Sequence, residues 1–73
     1  MKIGTQDAAR YIEVGEAYIS PYGSSYAVFV KSRYASDAVL AGLYEDKARA
    51  KGVLYEIGLA HEKKTRIFYM PAA

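Results

Sequence analysis

The chain has 73 residues, of which 52% are hydrophobic and 25% charged, with ten basic and eight acidic side chains. This composition is typical of a globular protein, and the length suits one domain over residues 1–73. The absence of cysteine excludes a disulfide framework or a thiolate metal site. A net charge of +2 lacks the basic excess typical of nucleic-acid-binding domains.

The sequence has no apolar run near the roughly 20 residues of a membrane span. The residues after Met1 turn polar at once and form no apolar core of a signal peptide. We therefore expect a cytoplasmic protein, or one that acts inside a host cell, without a membrane partner.

The first half of the chain predicts a β-hairpin. Residues 5–12 allow one or two helical turns. Ile12, Val14 and Tyr18 then alternate with polar or small residues, and a second β-rich run covers 26–30. Pro21 and Gly23 between the two runs favour a turn over residues 20–23.

The strongest helix signals cover residues 36–51. Ser36 is a favourable N-cap, and Asp37 suits the positive end of a helix dipole. Gly52 can end the helix in the left-handed conformation. The N-terminal signals, the apolar residues at helical spacing and the C-terminal glycine therefore all predict one helix over residues 36–51.

The segment after Gly52 has two interpretations. Residues 53–60 alternate as a strand would, and a strand over 66–70 stopped by Pro71 then gives a ββαββ domain. Its antiparallel sheet would be covered on one face by the helix, which is an α+β architecture. In the other interpretation residues 53–62 form a second helix, against which Gly58 weighs by roughly 1 kcal/mol.

No group of residues predicts catalysis. His61 is the only histidine, and no nucleophile elbow accompanies it. One histidine without cysteine argues against zinc, and residues 22–25 lack the lysine of a phosphate loop. We expect a protein without enzymatic activity, cofactor or metal.

Tyrosine accounts for eight of the ten aromatic residues. Its flat ring and polar hydroxyl suit binding surfaces and half-buried sheet faces alike. The tyrosines that we expect to bind a partner are Tyr18, Tyr22, Tyr26, Tyr55 and Tyr69. The alternative is that these side chains pack at the edge of the core.

The basic residues of the second half form a candidate electrostatic set. Its members are Lys47, Arg49, Lys63, Lys64 and Arg66. If both parts of this set lie at one end of the fold, they can bind phosphates, with tyrosines as stacking surfaces. The alternative is a solvated helix terminus and a charged turn.

Residues 36–70 resemble the later part of the nucleoside 2-deoxyribosyltransferases. The matching positions are 36–41, Gly52, 55–60 and 67–69. The resemblance implies a truncated α/β fold in which 36–41 is a strand and a helix begins near Gly52. It also implies that Glu56 is the nucleophile that attacks the anomeric carbon of the sugar, with Asp37 at the start of the preceding strand. The match covers about half of the chain.

Three functional hypotheses follow. The first is a small binding protein that inhibits or modulates a larger protein partner, because size and composition resemble small phage or mobile-element inhibitors such as anti-CRISPR proteins. The second is a nucleic-acid-binding regulator that uses the electrostatic set. The third is a nucleotide-binding or deoxyribosyltransferase-like remnant that uses Glu56. Exposed sheet edges would also allow two copies to pair as a homodimer.

Overall fold

The computed structural model describes all 73 residues and confirms the α+β class. A five-stranded sheet is packed against one helix. The elements in chain order are β1 (Lys2–Gly4), β2 (Tyr11–Tyr22), β3 (Ser25–Ser32), β4 (Ala38–Tyr44), α1 (Lys47–Glu62) and β5 (Ile67–Tyr69). The helix is too short and too polar to cross a membrane.

The sheet is mixed, and its strand order is β4-β3-β2-β1-β5. Neighbouring strands are antiparallel from β4 to β1, whereas β1 and β5 are parallel. The element order ββββαβ therefore differs from the predicted ββαββ, and the prediction of a purely antiparallel sheet is wrong. β1 is an additional strand, β4 replaces the first part of the predicted helix, and α1 replaces the predicted strand over 53–60. The predicted last strand is confirmed as β5, which ends before Pro71.

The predicted hairpin is confirmed as β2 and β3, but its turn lies two residues later than expected. Tyr22 pairs with Ser25 around a two-residue loop that starts with Gly23, whose φ is 61°. A positive φ at this first position is the pattern of a type II′ turn, which glycine favours. Pro21 lies inside β2 opposite Tyr26, in a pair that leaves the proline nitrogen outside the ladder.

The helix over 36–51 is wrong: residues 38–44 form β4, and the helix covers 47–62. Its N-cap is Asp46, whose Oδ1 accepts a hydrogen bond from the amide of Ala48 at 3.0 Å. Gly52 lies in the helix interior instead of ending it. The expectation of a strand over 53–60 is wrong, and the helical alternative for 53–62 is confirmed.

The cap signals at Ser36 and Asp37 were overridden by the sheet. Val28 and Val30 on β3 are completely buried, so the edge of β3 has to pair with another strand. The segment that contains Val39 and Tyr44 supplies these hydrogen bonds as β4. Tertiary pairing therefore outweighs local helix propensity here.

A bulge at Gly15 bends β2. The pairing with β3 shifts between Val14 and Glu16. A Cβ atom at Gly15 would lie 2.8 Å from the backbone nitrogen of Arg33. The glycine therefore permits a close backbone approach, and β2 can change partner from β1 to β3 as it bends.

Gln6 joins the two ends of the curled sheet. Its backbone amide donates to the carbonyl of Ala41 at 2.7 Å, and its side-chain Oε1 accepts from the backbone amide of Leu43 at 2.8 Å. Its Nε2 donates to the carbonyl of Pro71 at 3.1 Å. Residues 5–10, for which helical turns were expected, instead form the loop that carries this side chain.

One core lies between the inner face of the sheet and α1. Ala50, Val53 and Ile57 are the helical residues in this core. The sheet and the C-terminal segment contribute the buried side chains Ile3, Ile12, Val28, Val30, Ala41, Tyr44 and Met70. The other face of the sheet therefore points away from the core.

We predict opposite effects for the same substitution at two glycines. Gly15→Ala should destabilise the protein, because the new methyl group would collide with the backbone at Arg33. Gly52→Ala should stabilise it by about 1 kcal/mol, because the helix gains propensity and nothing lies within 4 Å of the new Cβ. Urea unfolding measures both changes, and a more stable Gly15→Ala protein would contradict the proposed close approach.

Candidate functional site

Aromatic and apolar side chains form a row across the outer face of the sheet. Tyr18 on β2 lies opposite Phe29 on β3, which lies opposite Leu40 on β4. The rings of Tyr18 and Phe29 are stacked with centroids 5.6 Å apart and planes 23° apart. Tyr22 contacts Phe29 edge to face, with centroids 6.3 Å apart. We call Tyr18, Tyr22, Phe29 and Leu40 the outer aromatic face.

The outer aromatic face is accessible to solvent. Tyr18 is 37% exposed and Tyr22 is 51% exposed, and Leu40 is also an exposed large side chain. Among the residues that pair between β2, β3 and β4, the charged ones are Glu16 and Lys31, which pair with each other beyond one end of the row. The face is therefore an apolar surface with little charge of its own.

The structure brings together only two of the five predicted partner-binding tyrosines, Tyr18 and Tyr22. Tyr26 points to the other face of the sheet, where it is half-buried against the core. Tyr55 lies on α1, 68% exposed, and Tyr69 lies on β5. Tyr26 and Tyr55 therefore lie on other surfaces, and Tyr69 is separated from the outer aromatic face by its position on β5, at the end of the sheet opposite β4.

Tyr69 has a structural role beside Gly4. Its ring meets Tyr11 edge to face at 6.1 Å, and a Cβ atom on Gly4 would lie 3.0 Å from the Tyr69 ring. The two tyrosines therefore cover the bare glycine between them, a known way to stabilise glycine in a sheet. The neighbouring hydroxyl group of Tyr11 raises the pKa of Tyr69.

The predicted electrostatic set is divided between the two ends of α1. Lys47 and Arg49 lie in its first turn, whereas Lys63, Lys64 and Arg66 follow its last residue. A helix of 16 residues is about 24 Å long, so the two parts do not form one patch. Arg49 is engaged locally, because its guanidinium lies 5.6 Å from the ring centroid of the buried Tyr44 and donates to the carbonyl of Ala72.

Four residues of the candidate surfaces were not predicted from the sequence as site residues: Phe29, Leu40, Lys2 and Arg33. The first two follow from the hairpin register, which places Phe29 opposite Tyr18 once the turn at Gly23 is known. Lys2 lies beside Arg66, because its amide donates to the carbonyl of Arg66 at 2.9 Å. No local sequence signal brings these basic residues together.

Glu56 and His61 are both exposed on α1. His61 lines a depression of about 380 Å³ between α1 and β2, together with Arg33 and Glu16. No group of three or more histidine, cysteine, aspartate or glutamate side chains is close enough to hold a metal ion. The catalytic role that the resemblance implies for Glu56 stays a prediction.

No protein-family model, curated protein or solved structure matches this chain.

Tyr26 and Tyr55 should respond differently to removal of their side chains. We expect Tyr26→Ala to lower the free energy of unfolding by about 2 kcal/mol, because its ring packs against the core. Tyr55→Ala should change it by less than about 0.5 kcal/mol, as expected for an exposed helix residue. Equal losses in urea unfolding would show that Tyr55 also supports the fold.

Proposed function

We propose that this protein is a small non-enzymatic binding protein that inhibits or modulates a larger protein partner. The observation that supports the proposal most is the outer aromatic face, where Phe29 contacts both Tyr18 and Tyr22 and the two tyrosines are exposed. Contiguous exposed apolar surface on a soluble domain is typical of an interaction site.

The composition of this face favours a protein over a nucleic acid. Protein interfaces are enriched in tyrosine and phenylalanine at their centre and depleted of charge there. Aromatic platforms for single-stranded nucleic acid also need a positively charged groove. Lys31 pairs with Glu16 across the strands at one end of the face, so no net positive charge lies there.

The position of the face on the sheet reduces the cost of binding. Tyr18 and Phe29 lie on paired strands, and the opposite face of the same strands packs against the core. Side chains held on a sheet lose less freedom on association than those on a loop. Burial of a large aromatic ring contributes roughly 1.5–3 kcal/mol, so a few such rings can anchor a stable complex.

A rigid domain of this size can act as an inhibitor by covering a functional surface of its partner. The general profile resembles the phage and mobile-element inhibitors noted above. We place its action in the cytoplasm, consistent with a chain that has no cysteine. A second copy of the chain is the competing occupant of the outer aromatic face.

The test compares the same substitution at two exposed tyrosines. Tyr18→Lys places a charge at the centre of the outer aromatic face, whereas Tyr55→Lys makes the same chemical change on α1. We expect nuclease-treated host lysate to yield a stoichiometric protein partner with the wild type and with Tyr55→Lys. Tyr18→Lys should lose at least about 90% of this partner, since central interface residues dominate affinity.

Two controls decide how the result is interpreted. Thermal unfolding must show that Tyr18→Lys is folded at the temperature of the capture. Equal capture by both variants would contradict the proposed face. A wild-type dimer in sedimentation that Tyr18→Lys converts to monomer would assign the face to a second copy instead.

A further inference from the structure

The end of the molecule at which α1 finishes concentrates positive charge. Four separate segments of the chain contribute to it: the start of β1, the end of β3, the turn after α1 and the start of β5. We call this group the basic end, and its members are Lys2, Arg33, Lys63, Lys64 and Arg66.

The fold itself brings these residues together. The parallel pairing of β1 and β5 places Lys2 beside Ile67, the residue after Arg66. Met1 lines one depression with Lys2 and Arg66, and a neighbouring depression with Arg33. Lys63 and Lys64 lie in the short turn between α1 and Arg66.

Acidic residues leave part of this charge uncompensated. Glu13, Glu16 and Glu62 are the acids of this region, against five basic side chains, whereas the rest of the chain has five basic and five acidic residues. Glu13 is already paired with the Met1 ammonium at 3.0 Å, the single salt bridge of the structure. This hydrogen bond, together with the nearby charges of Arg33 and Lys2, lowers the pKa of Glu13. None of the five basic side chains is therefore in a salt bridge.

Lys64 occupies a position that favours glycine. Its φ is 59°, and the end of α1 is closed by hydrogen bonds from Thr65 to Ala60 and from Lys64 to His61. This is the Schellman pattern, in which the residue at this place is usually glycine. A residue with a Cβ atom is disfavoured in this left-handed conformation, because the Cβ atom crowds the following carbonyl oxygen.

Tyr34 adds a free aromatic ring beside the basic end. It follows Arg33 and is 80% exposed, more than any other large hydrophobic side chain. Its amide donates to Oγ of Ser32 at 3.1 Å, which holds the backbone of the turn and leaves the ring free. Basic side chains next to an exposed ring are what proteins use to bind single-stranded nucleic acids. An acidic protein partner would instead favour a buried apolar centre.

We propose that the basic end binds the phosphates of a single-stranded nucleic acid and that one base stacks on Tyr34. The net charge of +2 of the whole chain is the excess at this end, because basic and acidic residues balance in the rest of the chain. The site does not involve the outer aromatic face, so a negative result for one surface does not contradict the proposal for the other.

The experiment measures fluorescence anisotropy of a labelled single strand of about 12 nucleotides. Salt is varied from about 50 to about 200 mM, and three or four phosphate contacts predict a slope of log K against log salt of about −2 to −3. Lys64→Gln/Arg66→Gln should weaken binding about tenfold and reduce this slope by roughly 1.4, at 0.7 per contact. Lys47→Gln/Lys51→Gln removes the same charge from the other end of α1 and should change affinity less than about twofold.

Tyr34→Ala separates stacking from charge. Loss of one base stack should weaken binding about fivefold or more without changing the salt slope. The proposal would be overturned if the two double substitutions to glutamine weakened binding equally. It would also be overturned if the folded wild type showed no salt-dependent binding. Equally tight binding of poly-glutamate would overturn the assignment to nucleic acid, and equally tight binding of duplex DNA would overturn the role of Tyr34.

Discussion

The side chain of Gln6 connects parts of the sheet that strand pairing alone leaves apart. β4 is the last strand at one end of the sheet, and β1 and β5 lie at the other. Gln6 follows β1, and it exchanges hydrogen bonds with Leu43 on β4 while it donates to Pro71 after β5. Each such bond contributes about 1 kcal/mol net, but a buried partner left unpaired costs about 1–3 kcal/mol. The curl of the sheet therefore depends on one amide whose donor and acceptor are both used.

The closed curl separates the side chains into two groups with different roles. The bend at Gly15 turns β2 so that its inner residues, such as Ile12 and Val14, contact one core. Alternation along the same strand then directs Tyr18 and Tyr22 outward. The basic end lies where α1 finishes, away from the outer aromatic face. A single small core thus supports two candidate surfaces of different chemistry, one apolar and one cationic.

The sequence predicted the features that depend on local pattern and missed those that depend on distant partners. The β2–β3 hairpin and β5 followed from period-two alternation and turn residues, and the α+β class followed from them. The helix was misplaced because Ser36 and Asp37 imitate a cap, whereas the strand edge of β3 decides that segment. The role of Gln6 could not be predicted from the sequence, because its partners lie 37 and 65 residues away in the chain. Composition predicted tyrosine as a binding residue, but only the register showed which tyrosines share a face.

The most direct test of this account is amide hydrogen exchange at Leu43, measured by NMR in the wild type and in Gln6→Ala. Leu43 donates its amide proton to Oε1 of Gln6 at 2.8 Å, so the wild type should protect it within about tenfold of the buried Val28 amide. Gln6→Ala should accelerate exchange at Leu43 much more than at Val28. If Leu43 in the wild type exchanges as fast as the exposed Ser24 in the hairpin loop, the sheet is not closed by Gln6.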